Sequence, residues 1–357
     1  MMLSALPDVL VVGLGPAGSM AAAQAARAGL DVVAIERKQR GGAPVQCAEF
    51  VPNMVAREFG DLGPVAAQPV ARMLSFVEHA AADIKENFPG AMIDRALFDT
   101  ILAERAEAAG ADCRFTTALS AVAADGTVRL ADGTHVRPRI VIGADGPRSR
   151  IGRAIGARNR DFVETRQITA ALLEAHDGTD IFLSAEIEGG YGWLFPRAGV
   201  ANIGLGLRPE ARHRLKPLLT SLHGKLIAEG RVGREVLSVT GGPIPVGGPV
   251  SPRGGLGETA VLLAGDAAGL TNPVTGAGIS AALQSGALAG AAAAEWLGGD
   301  ENALTDYGEE LEDLFGASLS RALKRRRGVL AAYRSGGKPR PEDLRQGWVG
   351  YPEYWAA

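Results

Sequence analysis

The residues able to do chemistry gather in three glycine-rich stretches and one short thiol-bearing loop. Gly13-Leu-Gly15-Pro16-Ala17-Gly18 stands near the start and Gly143-Ala-Asp145-Gly146 in the middle. Gly265-Asp266 comes late, followed by Pro273 to Gly278 and Ile279. Gly13 suits a tight turn, Gly15 lets backbone approach a pyrophosphate, and Gly18 permits close helix–strand packing. The helix that follows then turns its N-terminus toward the phosphates. Glu36, at the end of the next apolar run and just before Arg37, is placed to bind adenosine ribose hydroxyls. Asp266 is a strand-end carboxylate that can accept from ribityl or ribose hydroxyls. Pro273, Gly276 and Gly278 open an alanine-rich helix, whose N-terminal dipole would stabilise an anion on the pyrimidine edge of a reduced flavin. One GxGxxG indicates only a dinucleotide. Three such loops far apart in sequence indicate one long cofactor, FAD.

These loops need a scaffold, and the intervening pattern supplies one. Asp8-Val-Leu-Val-Val leads into Gly13, alanine-rich helical spacing runs from Gly18 to Gly29, and Leu30 to Glu36 is a second buried strand. That is a βαβ unit, the context that makes GxGxxG specific. A helix is expected from Arg95 to Ala109, strand character returns at Val128–Leu130 and Val136–Ile142, and Thr259–Ala264 is another buried strand. By contrast, Met73–Ala80 and the stretch from Gln167 to Gly206 carry hairpin signals of an antiparallel sheet. The expected architecture is α/β. A discontinuous Rossmann-like FAD-binding domain (1–70, 94–160 and 255–300) receives an inserted antiparallel-sheet substrate domain (71–93 and 161–254). A C-terminal helical segment (301–357) follows.

The chain has 357 residues, 46% hydrophobic and 5% aromatic, with a formal charge of -3. No basic excess argues for nucleic acid. Cys47 and Cys113 are the only two cysteines, too few for a metal cage and fitting a reducing compartment. Met1–Asp8 lacks a basic n-region, and Ile279–Leu297 is too alanine-rich and polar-dotted for a membrane span. A cytoplasmic protein is expected, with peripheral contact at the inner face of the membrane left open. Cys47 lies in a Gly-Pro-rich loop with no Lys or His beside it, so a reactive role and simple loop filling stay open together. Cys113 reads as core. Tyr191, Trp193 and Phe195 alternate along one strand and so share a face, as the wall of an apolar cavity or as plain core. At the C-terminus, Lys324-Arg-Arg-Arg327 with Trp348, Tyr351, Tyr354 and Trp355 suits either a membrane interface or a helix end with its aromatics packed back. The second reading is preferred.

Gly13–Gly18, Glu36, Arg95 with Phe98-Asp99, Gly143–Gly146 and Gly265–Gly278 together resemble the flavoprotein superfamily of p-hydroxybenzoate hydroxylase. Within it, Pro44-Val-Gln-Cys47-Ala48-Glu49 and Tyr191-Gly-Trp193-Leu-Phe195-Pro196 resemble geranylgeranyl reductases, over about residues 8 to 300. The resemblance implies non-covalent FAD and hydride transfer to a carbon–carbon double bond of a geranylgeranyl or polyprenyl lipid. It also places Cys47, Ala48 and Arg95 beside the cofactor, and Tyr191, Trp193, Phe195 and Pro196 along the isoprenoid pocket. Cys47, Glu49 and Tyr191 are the candidates for the proton donor. The electron donor is NAD(P)H, near Arg148, Arg150 and Arg153, or a ferredoxin-type protein. The alternative is an oxygen-using enzyme, since the Trp193 strand is also similar to that of flavin-dependent halogenases. A monooxygenase or halogenase would act on an aromatic molecule or a partner protein's side chain, and a halogenase would need a tunnel lysine, for which Lys85 is the one candidate.

Overall fold

The computed structural model describes residues 6–334 and 336–356; residues 1–5, 335 and 357 of the expected ranges lie outside the described residues. The first sheet has six strands in the spatial order Arg253–Leu256, Thr259–Leu263, Ile140–Gly143, Val9–Val12, Val32–Ile35, Asp112–Arg114. All neighbours run parallel except the first two, which form a hairpin. Val9–Val12 and Val32–Ile35 are buried throughout, which is why they read as continuous apolar runs rather than alternating ones. Val12 lies opposite Gly143, and Gly143 opposite Leu263. The three strands therefore end at one edge, and each of the glycine-rich stretches begins there.

Helix Pro16–Arg27 packs on helix Ile279–Leu297. A Cβ on Gly286 would lie 2.1 Å from the Ala17 carbonyl oxygen, so only glycine lets these backbones approach so closely. Small residues along the late helix thus serve helix–helix packing on the same sheet.

The second sheet runs Ser238–Thr240, Phe162–Ala171, Val200–Leu207, Gly192–Arg197, Gly178–Leu183, Arg72–Val77, Asp83–Lys85, with Pro243–Pro245 beside the start of Phe162–Ala171. Its neighbours are antiparallel except Gly178–Leu183 and Arg72–Val77, which run parallel. The exception has a physical cause. A long excursion through the first sheet separates the two strands, so they join by a crossover, where a hairpin would have reversed the direction. Alternation along Gly192–Arg197 sends Leu194 to the face covered by helix Leu215–Ala228. Trp193 and Phe195 go to the other face, against Leu344, Trp348 and Tyr351 of the C-terminal segment.

A small sheet, Phe50–Pro52, Gly90–Ile93, Ala66–Val70, lies across the expected 70/71 line. Beyond residue 301, helix Ala303–Leu311 passes through a π-helical turn, Glu312–Gly316, into helix Ala317–Arg334. Two short helices, Pro341–Gln346 and Pro352–Trp355, follow. Trp348, Tyr351 and Tyr354 are buried, while Trp355 is 55% exposed. Among the described residues no helix is long and apolar enough to cross a membrane.

Candidate active site

The first glycine stretch forms a cradle. Gly13 has φ +100°, and a Cβ there would meet the Ala144 oxygen at 2.4 Å; at Gly18 it would meet the Gly13 oxygen at 1.7 Å. Gly15 is different, because a Cβ there would meet nothing within 4 Å. Open space therefore fronts its backbone. Helix Pro16–Arg27 begins at this point, with Pro16 and Ala17 buried, no side-chain cap and no acid in its first turn. Its leading N–H groups lack a side-chain acceptor. Glu36 braces the turn, accepting from Leu14 N at 3.0 Å and from Lys38 N at 2.9 Å. Arg37 beside it is exposed.

The late stretch repeats this logic. Gly265 N donates to Ser285 Oγ at 2.9 Å, and helix Ile279–Leu297 starts at Gly278, again with no side-chain cap and no acid in its first turn. Pro273 is buried, Gly276 takes φ +70°, and Ile279 packs beside Leu283. Asp266 Oδ1 accepts from the Thr271 hydroxyl at 2.6 Å. Burial raises the Asp266 pKa, opposed by that hydrogen bond and by the Arg95 charge. Asp145, in the middle stretch, is engaged within its own loop. It accepts from Ser149 Oγ at 2.5 Å and Arg150 N at 2.6 Å, and burial pushes its pKa up. Gly146 follows at φ +80°. Two uncapped helix N-termini, carboxylates Glu36 and Asp266, and clear space over Gly15 fit one elongated ligand with anionic groups and hydroxyl donors. FAD has that chemistry.

Beside this cradle lies the loop carrying Cys47, tied down by four strands of the second sheet. Gln167 Nε2 donates to the Cys47 carbonyl at 3.1 Å, and Thr240 Oγ1 to the Val45 carbonyl at 2.6 Å. Asn202 Nδ2 donates to the Ala48 carbonyl at 3.3 Å and to Glu49 at 2.9 Å, while Arg197 donates to Glu49 at 3.0 Å. Glu49 also accepts from Arg95 N at 3.2 Å and is 3% exposed, so its carboxylate is surrounded by donors. Cys47 Sγ accepts from Glu49 N at 3.2 Å, and the Arg95 guanidinium lies near enough to interact with it electrostatically. Burial alone would lower the Arg95 pKa, but Asp99, whose Oδ1 lies 2.7 Å from Nε, and Cys47 reverse the effect and raise it. The cation that the loop's own sequence lacks thus comes from the start of helix Arg95–Ala108. Cys113, by contrast, is half-buried away from this group, and burial, with Glu107 and Asp112, pushes its thiol up to about 12.

Against the loop stands the aromatic wall. Ring centroids are 5.7 Å apart for Tyr191–Trp193 and 6.5 Å for Trp193–Phe195. Trp348 closes on Tyr191 at 4.7 Å. Pro196 is buried within the same strand. Trp193 Nε1 donates to Gln167 Oε1 at 2.9 Å, so the residue that holds the Cys47 carbonyl also orients the wall. Tyr191 donates its hydroxyl to the Thr275 carbonyl at 2.6 Å, and burial, with Cys47 nearby, raises its pKa. Between wall and C-terminal helices is a cavity of about 50 Å³, lined by Tyr191, Val274, Arg326, Val329, Tyr333 and Trp348 among others.

Asn202, Gln167, Arg197 and Trp348 are absent from the residues expected at the site; Asn202 alone carries a sequence signal, a polar side chain inside the otherwise apolar strand Val200–Leu207. Of the expected arginine cluster, Arg148 and Arg153 line a cleft of about 290 Å³ with Arg158, Asn159 and Arg160. Arg150 donates instead to the Leu119 carbonyl. Lys85 is exposed on the outer strand Asp83–Lys85.

Residues 8–145 match the sequence profile of FAD dependent oxidoreductases. A digeranylgeranylglycerophospholipid reductase of Methanopyrus kandleri is 38% identical over 342 residues, covering 89% of this chain and 85% of its own length. Among solved structures, a geranylgeranyl bacteriochlorophyll reductase-like protein of Thermoplasma acidophilum is similar with a TM-score of 0.81 at 28% identity, over 90% of this chain and 87% of that one. A flavin-dependent brominase shares the fold at a TM-score of 0.73 and 17% identity, over 93% and 89% of the two chains. That last likeness speaks to fold alone.

Proposed function

The chain belongs to the digeranylgeranylglycerophospholipid reductase family, FAD-dependent oxidoreductases, and from that premise we propose that it saturates carbon–carbon double bonds in the geranylgeranyl chains of a polar lipid. One observation carries the reading. The Cys47 loop, with the Arg95 guanidinium beside it, is tied to the aromatic wall through Gln167 at the edge of the FAD cradle. Bound FAD supplies the electron pair that the reduction consumes.

The chain's own residues hold, orient and protonate. The turn at Gly13–Gly18 and the helix start at Gly278 are assigned to the cofactor's anionic groups, and Glu36 and Asp266 to its hydroxyls. Of the three candidate acids, Glu49 is ringed by donors and acts as the anchor of the loop. Tyr191 commits its proton to the Thr275 carbonyl, and burial makes it a weaker acid than an ordinary phenol. Cys47 is assigned the proton transfer to the alkene carbon, because Glu49 is taken up by its donors and the Tyr191 hydroxyl by the Thr275 carbonyl, which leaves the thiol as the uncommitted acid of the three. Tyr191, Trp193 and Phe195 align the chain and exclude water. The cavity of about 50 Å³ is far below the roughly 300–1,000 Å³ of ordinary ligand pockets, so a long prenyl chain enters by parting the C-terminal helices from the wall. The substrate resides in membranes, and a peripheral encounter is inferred through exposed Trp355, with Arg321 5.4 Å over its ring.

The test is anaerobic. Flavin-loaded protein is reduced with dithionite and mixed with digeranylgeranylglyceryl phosphate in detergent. Flavin reoxidation with two hydrogens gained per bond, read by lipid mass, is expected. A flavin that stays reduced until air enters, with lipid mass unchanged, overturns the reading.

A further inference from the structure

Helix Ala317–Arg334 turns Leu319, Ala322 and Arg326 to the interior, and Val329, Leu330 and Tyr333 continue that stripe along the cavity. Arg326 is the one charged residue in it. It is 7% exposed, and its NH1 donates to the Gly189 carbonyl. Its Nε and NH2 have no partner among the described residues. Trp348, which lines the same cavity, likewise leaves Nε1 buried and without a partner among the described residues. Burial lowers the Arg326 pKa, and the Asp161 charge opposes this only in part.

A buried guanidinium without full pairing costs several kcal/mol, so most proteins avoid one. Here three orphan atoms, all donors, belong to two residues that line one cavity, and each is closed off from its space until the C-terminal helices part from the wall. The missing ligand atom is therefore an acceptor, and one with more than one oxygen to offer. A hydroxyl or an alkene does not meet that demand, whereas a phosphate ester does.

We propose that this cavity is a phosphate-reading subsite, in which Arg326, with Trp348, receives oxygens of the phosphate that heads a prenyl substrate. The proposal rests on the prenyl-lipid reading of the enzyme. Tyr191 lines the same cavity and also approaches Cys47. A head anchored at Arg326 would therefore leave its prenyl chain to run past Tyr191 along the aromatic wall. Arg326 is then a specificity residue that takes no part in the bond changes.

The test is equilibrium binding to the flavin-loaded protein, read by tryptophan fluorescence, with geranylgeranyl monophosphate, geranylgeraniol and inorganic phosphate as probes. Wild type is expected to bind the phosphate ester about 10- to 150-fold more tightly than the alcohol, the range for one hydrogen bond to a charged group. Arg326→Met is expected to level the two, and Arg326→Lys to keep part of the preference. Inorganic phosphate should compete with the ester and leave the alcohol untouched. Arg326→Met should also melt no lower than wild type, since it removes an incompletely paired charge. Equal weakening of alcohol and ester by Arg326→Met, or no preference in wild type, overturns the proposal. Should the Met variant fail to fold, the wild-type preference and the Lys variant still decide. These readouts need no turnover, so a failure to reduce prenyl lipids would count against the reductase reading and leave the subsite to be judged by binding.

Discussion

Gly15→Ala separates the needs of the fold from those of the cofactor. Gly15 sits at φ -78°, ψ -171°, an extended conformation open to any L-residue. A methyl group there meets nothing within 4 Å. The apoprotein loses no contact, and narrowing the unfolded chain adds about 0.4–1 kcal/mol of stability. The same methyl stands in the space through which a pyrophosphate would reach the leading N–H groups of Pro16–Arg27. Each charge-assisted hydrogen bond lost there is worth about 1.5–3 kcal/mol. FAD affinity should therefore fall about 10- to 150-fold per bond. Gly18→Ala is the contrast. Its Cβ would lie 1.7 Å from the Gly13 oxygen, so the helix must shift, and overpacking of this kind costs about 1–3 kcal/mol or more in the apoprotein itself. Thermal unfolding of both apoproteins and titration of each with FAD, followed by flavin fluorescence, give the four numbers required. A Gly15→Ala protein that binds FAD as wild type does refutes the placement of the pyrophosphate over Gly15. So does an apoprotein that melts well below wild type.

Cys47→Ala should retain FAD and lose turnover by about 10²–10⁴-fold, the usual worth of a positioned acid; turnover within tenfold of wild type moves the proton to another group. Asp266→Asn should act in opposite directions on stability and on FAD. The folded pKa of Asp266 is raised above the unfolded value of about 3.9, so its contribution to stability is present below that value and lost as pH rises through the folded pKa. At neutral pH the buried charge is then a burden, and Asp266→Asn should raise the apoprotein Tm at pH 7 by an amount that vanishes near pH 4. Its FAD affinity should fall several-fold, because a neutral amide is a weaker acceptor for hydroxyls. A variant that melts lower at pH 7 contradicts the sign of that shift.

What could be read from the chain divides along a physical line. The turn at Gly13–Gly18 is legible because its demands are local: a positive φ at Gly13 and a backbone contact at Gly18 admit nothing but glycine. The shared face of Tyr191, Trp193 and Phe195 is legible because a strand's side chains alternate. The partners of Glu49 are not, because Arg197 and Asn202 become its neighbours only through sheet order and register, as when Phe195 falls opposite Asn202. The parallel pairing of Arg72–Val77 with Gly178–Leu183 escapes for the same reason. Wall and core also remain one category in sequence, since both want large rings on one face, and Trp348 against Tyr191 satisfies either.

Arg326 is a different case, in which the signal was present in a form that composition hides. Lys324-Arg-Arg-Arg327 reads as a solvated basic run, and a run has no phase. A helix does have one. Leu319, Ala322 and Arg326 recur at spacings of three and four, which puts one cation of the four on the buried stripe while Lys324, Arg325 and Arg327 sit off it. Counting charge therefore points to a surface, whereas phasing it points to a single guanidinium held inside against its solvation cost. A stabilising core would have placed Leu or Met at that position, as it placed Leu319 and Ala322 before it. The cation at 326 makes physical sense when something with oxygens shares the cavity, and the cavity borders the wall along which the substrate is proposed to lie.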